Sequence, residues 1–164
     1  MDVIERNVVR AVVLDARERI LLFHTRDPTY PELGTWWELP GGGLEGGETY
    51  RETVIRELAE EAGIVITPDQ VGEPTWRRQA TFRYRGVRRV NNEVIVPVQL
   101  SVTGPVVDGA ARVGFEDEDY FGFRWWPVVE LSGSTDRFYP GRLPQLLVPF
   151  LAGEEINEPF ERWS

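Results

Sequence analysis

The sequence predicts one α/β domain in which helices pack against both faces of a mixed β-sheet, giving an α/β/α sandwich. Three observations support this fold class. Apolar runs of strand length recur along the chain, and two segments near residues 49–62 and 143–151 have the apolar spacing of helices. The length of 164 residues is close to that of one typical domain, so we assign residues 1–164 to a single unit.

The predicted sheet opens with a β-hairpin. Residues 8–14 and 20–25 are apolar enough to form two strands, and the polar residues 15–19 join them. A loop containing proline and glycine then leads to a short strand at 36–40, which ends at three consecutive glycines. These glycines prevent a helix from beginning early, and they allow the backbone to approach a bound ion closely.

Further strands are predicted near Val65, at 80–85, at 94–102 and at 121–126. Pro97 interrupts the third of them. Because proline cannot donate a backbone hydrogen bond, it predicts an edge position or a bulge at this point.

The C-terminal part carries the second helical pattern. Apolar residues recur at helical spacing over 143–151, which indicates a packing helix that Pro149 could kink. Residues 153–164 are predicted to form a partly flexible tail, which Phe160 and Trp163 could anchor.

The first helical pattern, near residues 49–62, carries the clearest chemical signal. Successive residues of a helix turn by about 100°, so Glu57, Glu60 and Glu61 project from one face and bring three carboxylates together. Neighbouring anions repel each other, whereas a hard divalent cation such as Mg2+ prefers oxygen ligands. The opposite face is apolar and suits packing on a sheet. The sequence therefore predicts a metal site on this helix.

The same segment matches a known family motif at every specified position. It resembles the Nudix box, G-x5-E-x7-R-E-U-x-E-E-x-G-U, in which U is an aliphatic residue. The matching residues are Gly42, Glu48, Arg56, Glu57, Leu58, Glu60, Glu61, Gly63 and Ile64. A pattern that fixes so many positions is far more specific than a lone glycine fingerprint. The alternative is a solvated acidic helix with ordinary ion pairs, such as Arg56 with Glu52 or Glu60.

The resemblance to Nudix hydrolases implies a Nudix-type α/β/α sandwich and an enzyme in which a metal-activated water attacks one phosphorus of a P–O–P bridge. The metal would be Mg2+, or Mn2+ in its place. By position in the motif, the candidate ligands are the carbonyl oxygen of Gly41 and the carboxylates of Glu57, Glu60 and Glu61, and these glutamates are also candidate catalytic groups. Gly42 and Glu48 would support the turn and the helix start, and Arg56 would orient a box glutamate.

A second acidic cluster occupies residues 116–119, shortly before the predicted strand at 121–126. It resembles the loop from which many Nudix relatives supply an additional glutamate. Glu116 and Glu118 are therefore candidate catalytic bases. A solvated acidic loop explains the same run of charges.

Candidate substrate contacts lie near the expected cleft. Trp36 and Phe82 could stack on a base, although core packing also explains them. All 18 basic residues are arginine, and Arg78 belongs to a dense arginine stretch at 77–89. A planar guanidinium suits phosphate, but a solvated hairpin or a contact in a homodimer explains this stretch as well. Arg26 could meet a phosphate or form a surface ion pair.

The substrate implied by the resemblance is a nucleoside diphosphate derivative: a nucleotide, a nucleotide sugar, ADP-ribose or a dinucleoside polyphosphate. A net charge of −9 and a pI near 4.7 argue against binding to nucleic acid or to an anionic membrane. The sequence has no cysteine and no apolar run long enough to span a bilayer, so we expect a cytoplasmic protein without thiolate chemistry. A non-catalytic nucleotide sensor of the same fold is the alternative, although the complete box argues against it.

Overall fold

The computed structural model describes residues 2–107 and 120–164 of the chain. These residues contain ten strands and three α-helices. In chain order they are β1 Val3–Leu14, β2 Arg19–Arg26, β3 Thr35–Glu38, β4 Gly41–Gly43, α1 Tyr50–Ala62, β5 Trp76–Tyr84, β6 Val87–Gln99, β7 Tyr120–Pro127, α2 Val128–Ser132, β8 Phe138–Tyr139, α3 Leu143–Leu151, β9 Ile156–Asn157 and β10 Glu161–Arg162. No helix in the described residues is long and apolar enough to cross a bilayer.

The strand β1 lies at the centre of the sheet. It pairs in parallel with β6, from Val3↔Arg88 to Leu14↔Gln99, and antiparallel with β2 and β4. The strand order is β10-β5-β6-β1-β2-β3-β8, with β4 beside β1, β7 beside β2 and β9 beside β5. Parallel and antiparallel pairs therefore coexist, and the predicted mixed sheet with its opening hairpin is confirmed.

The two faces of the sheet bury separate apolar clusters. The helix α1 contributes Val54 and Leu58 to the cluster on one face, while α3 contributes Leu143 and Leu147 to the cluster on the other. Each of these side chains is at most 1% exposed. Helices thus cover both faces of one sheet, which confirms the predicted α/β/α sandwich.

The helix α1 begins and ends where its local sequence directs. The hydroxyl of Thr49 accepts the N–H of Glu52 at 3.2 Å, and the Glu52 carboxylate accepts the N–H of Thr49 at 3.0 Å. This reciprocal capping box fixes the first turn. Gly63 ends the helix with φ at 65°, a left-handed conformation that suits glycine. The helix predicted near 49–62 is confirmed, and its fixed ends set which side chains face the sheet.

The strand predicted near Val65 is wrong. Ile64 and Ile66 are buried in the apolar cluster beneath α1, whereas Val65 between them is 86% exposed. This alternation resembles that of a strand, but a 3-10 turn follows at Pro68–Gln70, and the described chain has no strand between α1 and β5.

The predicted strands at 80–85 and 94–102 have different limits in the structure. They are β5 and β6, which form a longer hairpin paired from Trp76↔Ile95 to Tyr84↔Val87. Pro97 lies in β6 beyond the end of β5, so its missing N–H interrupts no bond to that strand. Residues 71 and 72 cover this side of β6, where Val71 forms a bridge with Val98 and the N–H of Gly72 donates to the carbonyl of Pro97 at 2.8 Å. The predicted edge position or bulge is therefore not observed.

The C-terminal residues 153–164, predicted to be a partly flexible tail, pair with β5 through the short strands β9 and β10. Trp163 is only 8% exposed, and its indole N–H donates to the carbonyl of Phe138 at 2.8 Å. Phe160 is 57% exposed. Of the two predicted anchors, only Trp163 is buried.

Candidate functional site

The glycine turn, Gly41–Gly43, forms the strand β4 after β3 and lies against both β1 and the helix α1. A Cβ atom on Gly41, whose φ is 153°, would lie 2.1 Å from the carbonyl oxygen of Val9. A Cβ atom on Gly42 would lie 2.3 Å from Oε1 of Glu57. Only residues without side chains therefore allow the strand β4 to approach both β1 and the helix glutamate so closely.

Glu57 and Glu61 form a buried carboxyl pair beside this turn. Glu61 accepts the N–H of Gly41 at 3.0 Å and is 6% exposed, and Glu57, one helical turn earlier, is 9% exposed. Burial raises the pKa of Glu61 well above its usual range, and the charge of Glu57 adds to this effect. Burial also raises the pKa of Glu57, against the opposing effect of Arg56. A shared proton or a cation must therefore relieve the repulsion between the two groups.

Glu60 does not join this pair. Its carboxylate is partly exposed and accepts from Nη1 of Arg56 at 3.3 Å. The predicted convergence of three carboxylates is thus observed for only two of them. Among the residues that the structure describes, no group of three or more acidic, histidine or cysteine side chains is arranged to hold a metal ion.

Arg56 connects the glycine turn to the helix. Its Nε and Nη2 donate to the two carboxylate oxygens of Glu48 at 2.9 and 3.0 Å. Nη2 also donates to the carbonyl of Gly43 at 3.1 Å, and Nη1 donates to Glu57 at 3.0 Å. The bond from Arg56 is the main reason that the pKa of Glu48 falls to about 2. These contacts match the supporting roles that the sequence predicts for Arg56 and Glu48.

The carboxyl pair opens into a cavity of about 680 Å3. Gly41, Gly42, Glu57 and Glu61 line one end of it. The same cavity is lined by five aromatic residues, Trp36, Phe82, Tyr84, Tyr139 and Trp163. An acidic end and an aromatic wall in one cavity suit a ligand with an anionic part and a planar part.

Comparison with known proteins identifies the family, because the model of the NUDIX domain matches residues 5–146. The chain belongs to the Nudix family. It is 36% identical to an 8-oxo-dGTP diphosphatase of Proteus vulgaris over 98 residues, which cover 57% of this chain and 86% of the relative.

Two solved structures share its fold. The MutT protein of Methanosarcina mazei Go1 matches with a TM-score of 0.62 and 17% identity, over 93% of this chain and 97% of that one. The NUDIX domain of Shewanella oneidensis NrtR complexed with ADP ribose matches with a TM-score of 0.58 and 21% identity, over 90% of this chain and 88% of that one. Together with the family match, these similarities confirm the predicted family, fold and enzyme class, that of Nudix hydrolases.

The predicted substrate contacts of this Nudix chain are not all at the cavity. Trp36 and Phe82 line it. Arg26 does not, and its guanidinium lies 5.5 Å from the ring centre of Phe121. The predicted bases Glu116 and Glu118 lie outside the described residues.

Arg78 is placed beneath the cavity, in a buried ionic network. It forms ion pairs with Glu93, with Glu158 at 3.0 Å and with Glu161. Glu93 also accepts from Nε of Arg10 at 2.8 Å and from the hydroxyl of Tyr139 at 3.0 Å. Sequence analysis missed this network, although charged residues at alternating positions within the apolar strands β1 and β6 are a signal for it.

Proposed function

We propose that this Nudix hydrolase cleaves a diphosphate linkage in a nucleoside diphosphate derivative and that it requires Mg2+ or Mn2+. The observation that carries this proposal is the buried pair of Glu57 and Glu61 at one end of a cavity whose wall is aromatic. A like-charged pair is unfavourable at this depth without neutralisation, and a diphosphate chelated to a divalent cation brings that cation.

The residues present fit a hard cation. Glu57 and Glu61 offer carboxylate oxygens, and the close approach of Gly42 to Glu57 leaves no side chain between the turn and the helix. Glu60 and the carbonyl of Gly41 would complete the protein ligands. When bound, Mg2+ neutralises phosphate charge and lowers the pKa of a water molecule.

The protein side chains position these ligands. Arg56 holds Glu57 by a hydrogen bond of 3.0 Å, and the N–H of Gly41 holds Glu61 at the same distance. Either glutamate could accept the proton of the attacking water, as could Glu116 or Glu118. Because these carboxylates are already held in position, they need little rearrangement when the substrate binds, and this preorganisation favours turnover.

The aromatic wall supports a nucleoside part of the substrate. Trp36 and Phe82 would contact the base, while the diphosphate lies at the carboxyl end of the cavity. The similar Proteus vulgaris protein is a diphosphatase of 8-oxo-dGTP, and the structurally similar NrtR domain binds ADP ribose. Nucleotides, nucleotide sugars, ADP-ribose and dinucleoside polyphosphates therefore remain the classes to test. Cytoplasmic location and homodimer formation stay predictions.

A non-catalytic nucleotide sensor is the competing function. It would use the same cavity to bind a nucleotide derivative without turnover. The complete Nudix box favours the enzyme, because a sensor has no need for acidic residues at each of these positions.

A phosphate-release screen with the purified protein and Mg2+ tests the proposal across the four substrate classes. The products are separated by anion-exchange chromatography, so that linkage cleavage is detected directly. We expect turnover of at least one class, which excess EDTA abolishes and added Mg2+ restores. Turnover that persists in EDTA would refute the metal requirement. Binding of a nucleotide derivative without any turnover would identify a sensor.

A further inference from the structure

The cavity has a basic wall that the carboxyl pair and the aromatic residues do not explain. Arg6 on β1 and Arg89 on β6 both line the cavity. Arg89 pairs with Ile4 in the parallel ladder, and Arg6 lies two residues further along β1, so both arginines are on the same face of the sheet.

Neither arginine has a carboxylate partner in the part of the chain that the structure describes. Two other arginines that line the cavity are paired, Arg10 with Glu93 and Arg56 with Glu48. Within residues 2–107 and 120–164, the guanidinium groups of Arg6 and Arg89 form no ion pair and donate no hydrogen bond. Nε of Arg89 is buried without any partner, which is unfavourable unless a ligand supplies an acceptor.

The guanidinium group of Arg6 is influenced both by positively charged arginines and by a negatively charged glutamate. Partial desolvation lowers its pKa most strongly, and the positive charges of Arg10 and Arg89 lower it further. The negative charge of Glu57 acts in the opposite direction. Arg6 is therefore within electrostatic reach of both the carboxyl pair and Arg89, and the basic wall continues from the acidic end of the cavity.

We propose that Arg6 and Arg89 form an anion subsite that binds a phosphate group of the substrate beyond the diphosphate at Glu57 and Glu61. Planar guanidinium groups match phosphate oxygens, and a bound phosphate removes the repulsion between the two arginines. This inference rests on the proposed function, because it places the remainder of the diphosphate at the carboxyl pair.

The subsite favours substrates with a third phosphate. Nucleotide sugars and ADP-ribose have only two phosphates and would leave the subsite without an anion. A free nucleoside triphosphate and the 5′-triphosphate end of an RNA present the same group, so the test must separate these two sources.

Calorimetric binding of methylene-bridged analogues tests the subsite without relying on turnover. The probes are the α,β-methylene analogues of GTP and GDP in the presence of Mg2+. The variants are Arg6→Gln and Arg89→Gln, with Arg77→Gln as the control, because Arg77 is an exposed arginine on β5 that does not line the cavity.

We expect each subsite variant to weaken binding of the triphosphate analogue about tenfold or more, as befits loss of a charge-assisted hydrogen bond. Binding of the diphosphate analogue should change less than about twofold, and Arg77→Gln should leave both affinities unchanged. Three results would overturn the inference: equal weakening of binding for both analogues, no weakening in either variant, or no binding of the triphosphate analogue to the wild type. A thermal melt of each variant detects unfolding, and the exposed position of Arg6 makes Arg6→Gln the safer variant.

A short RNA with a 5′-triphosphate, added to the same titration, identifies the source of the phosphate. The subsite is assigned to RNA ends if the RNA displaces the triphosphate analogue at a lower concentration than GTP does and if this displacement is lost in Arg89→Gln. The reverse order assigns it to free nucleotides. Failure of the proposed function would be recognised separately. The protein would then bind the analogues through the subsite but would release no phosphate from any substrate.

Discussion

Glu93→Gln should destabilise the protein strongly, because Glu93 is the acceptor shared by two buried arginines. Its side chain is fully buried, and it receives Nε of Arg10 at 2.8 Å and Nη1 of Arg78. The substitution keeps the size of the side chain but removes its charge. Arg10 and Arg78 would then share one neutral acceptor in a position shielded from water.

The structure sets the size of the effect. Breaking a buried ion pair by removing one partner destabilises proteins by about 3–5 kcal/mol. Arg78 would keep Glu158 and Glu161, and Arg10 would keep Glu38 at 3.4 Å. We therefore expect the lower end, about 3 kcal/mol, which corresponds to a fall in Tm of about 6–12 °C for a domain of this size.

Urea unfolding and thermal melts of the wild type, Glu93→Gln and Glu130→Gln measure this difference. Glu130→Gln is the matched control, because Glu130 pairs with Arg124 at 2.7 Å but both side chains are largely exposed, at 56% and 39%. The control should lose less than about 1 kcal/mol. A free energy of unfolding for Glu93→Gln within about 1 kcal/mol of the wild type would refute the reasoning.

The difference should also depend on pH. Burial alone would raise the pKa of Glu93, but Arg10 and Arg78 outweigh it and hold the pKa below its usual range. The stabilisation from the charged carboxylate is therefore complete above the unfolded-state pKa of about 4.3 and is lost as the pH falls through the lower folded-state pKa. Wild type and Glu93→Gln should converge in stability only in acid, below about pH 4.

Four further substitutions test the catalytic site. Glu61→Gln should lower kcat by on the order of 10²-fold with the fold retained, and a near-normal kcat would move the essential role to another glutamate. Gly42→Ala places a Cβ atom 2.3 Å from Oε1 of Glu57 and should lower kcat by on the order of 10²-fold by displacing that carboxylate; wild-type kcat would contradict its placement. One of Glu116→Gln and Glu118→Gln should depress kcat while Mn2+ titration shows unchanged metal affinity, and full turnover in both would leave the base among Glu57, Glu60 and Glu61.

Local patterns made the helix α1 and its motif predictable. Thr49 and Gly63 define the ends of the helix through contacts within a few residues, and the 3.6-residue period fixes which glutamates share a face. The exact arrangement was not predictable, because Nη1 of Arg56 donates to both Glu57 and Glu60, and only Glu57 and Glu61 among the helix glutamates are buried. Periodicity gives the direction of a side chain but does not say which neighbour binds it.

The ionic network beneath the cavity was harder to predict because it depends on distant parts of the chain. Arg78 meets Glu158, 80 residues away in the chain, and Arg10 meets Glu93 across 83. Alternation within β6 marks Glu93 as a residue facing the same side as Ile95, but no local rule names its partner. For the same reason the sequence offers Arg78 as a candidate substrate contact beside a hairpin or homodimer role, whereas the structure places it in the network beneath the cavity.

The buried network and the carboxyl pair are linked through the glycine turn. Besides binding Glu93, Arg10 donates from Nη1 to the carbonyl of Leu39 at 3.0 Å, two residues before Gly41. Arg56 donates to the carbonyl of Gly43 at 3.1 Å from the other side. Two paired arginines therefore fix the turn at both ends and hold Gly41 against Glu61. Glu57 and Glu61 both belong to α1, so the turn does not separate them. By holding the N–H of Gly41 at 3.0 Å from Glu61, it instead lowers the cost of burying two like charges until substrate and cation bind.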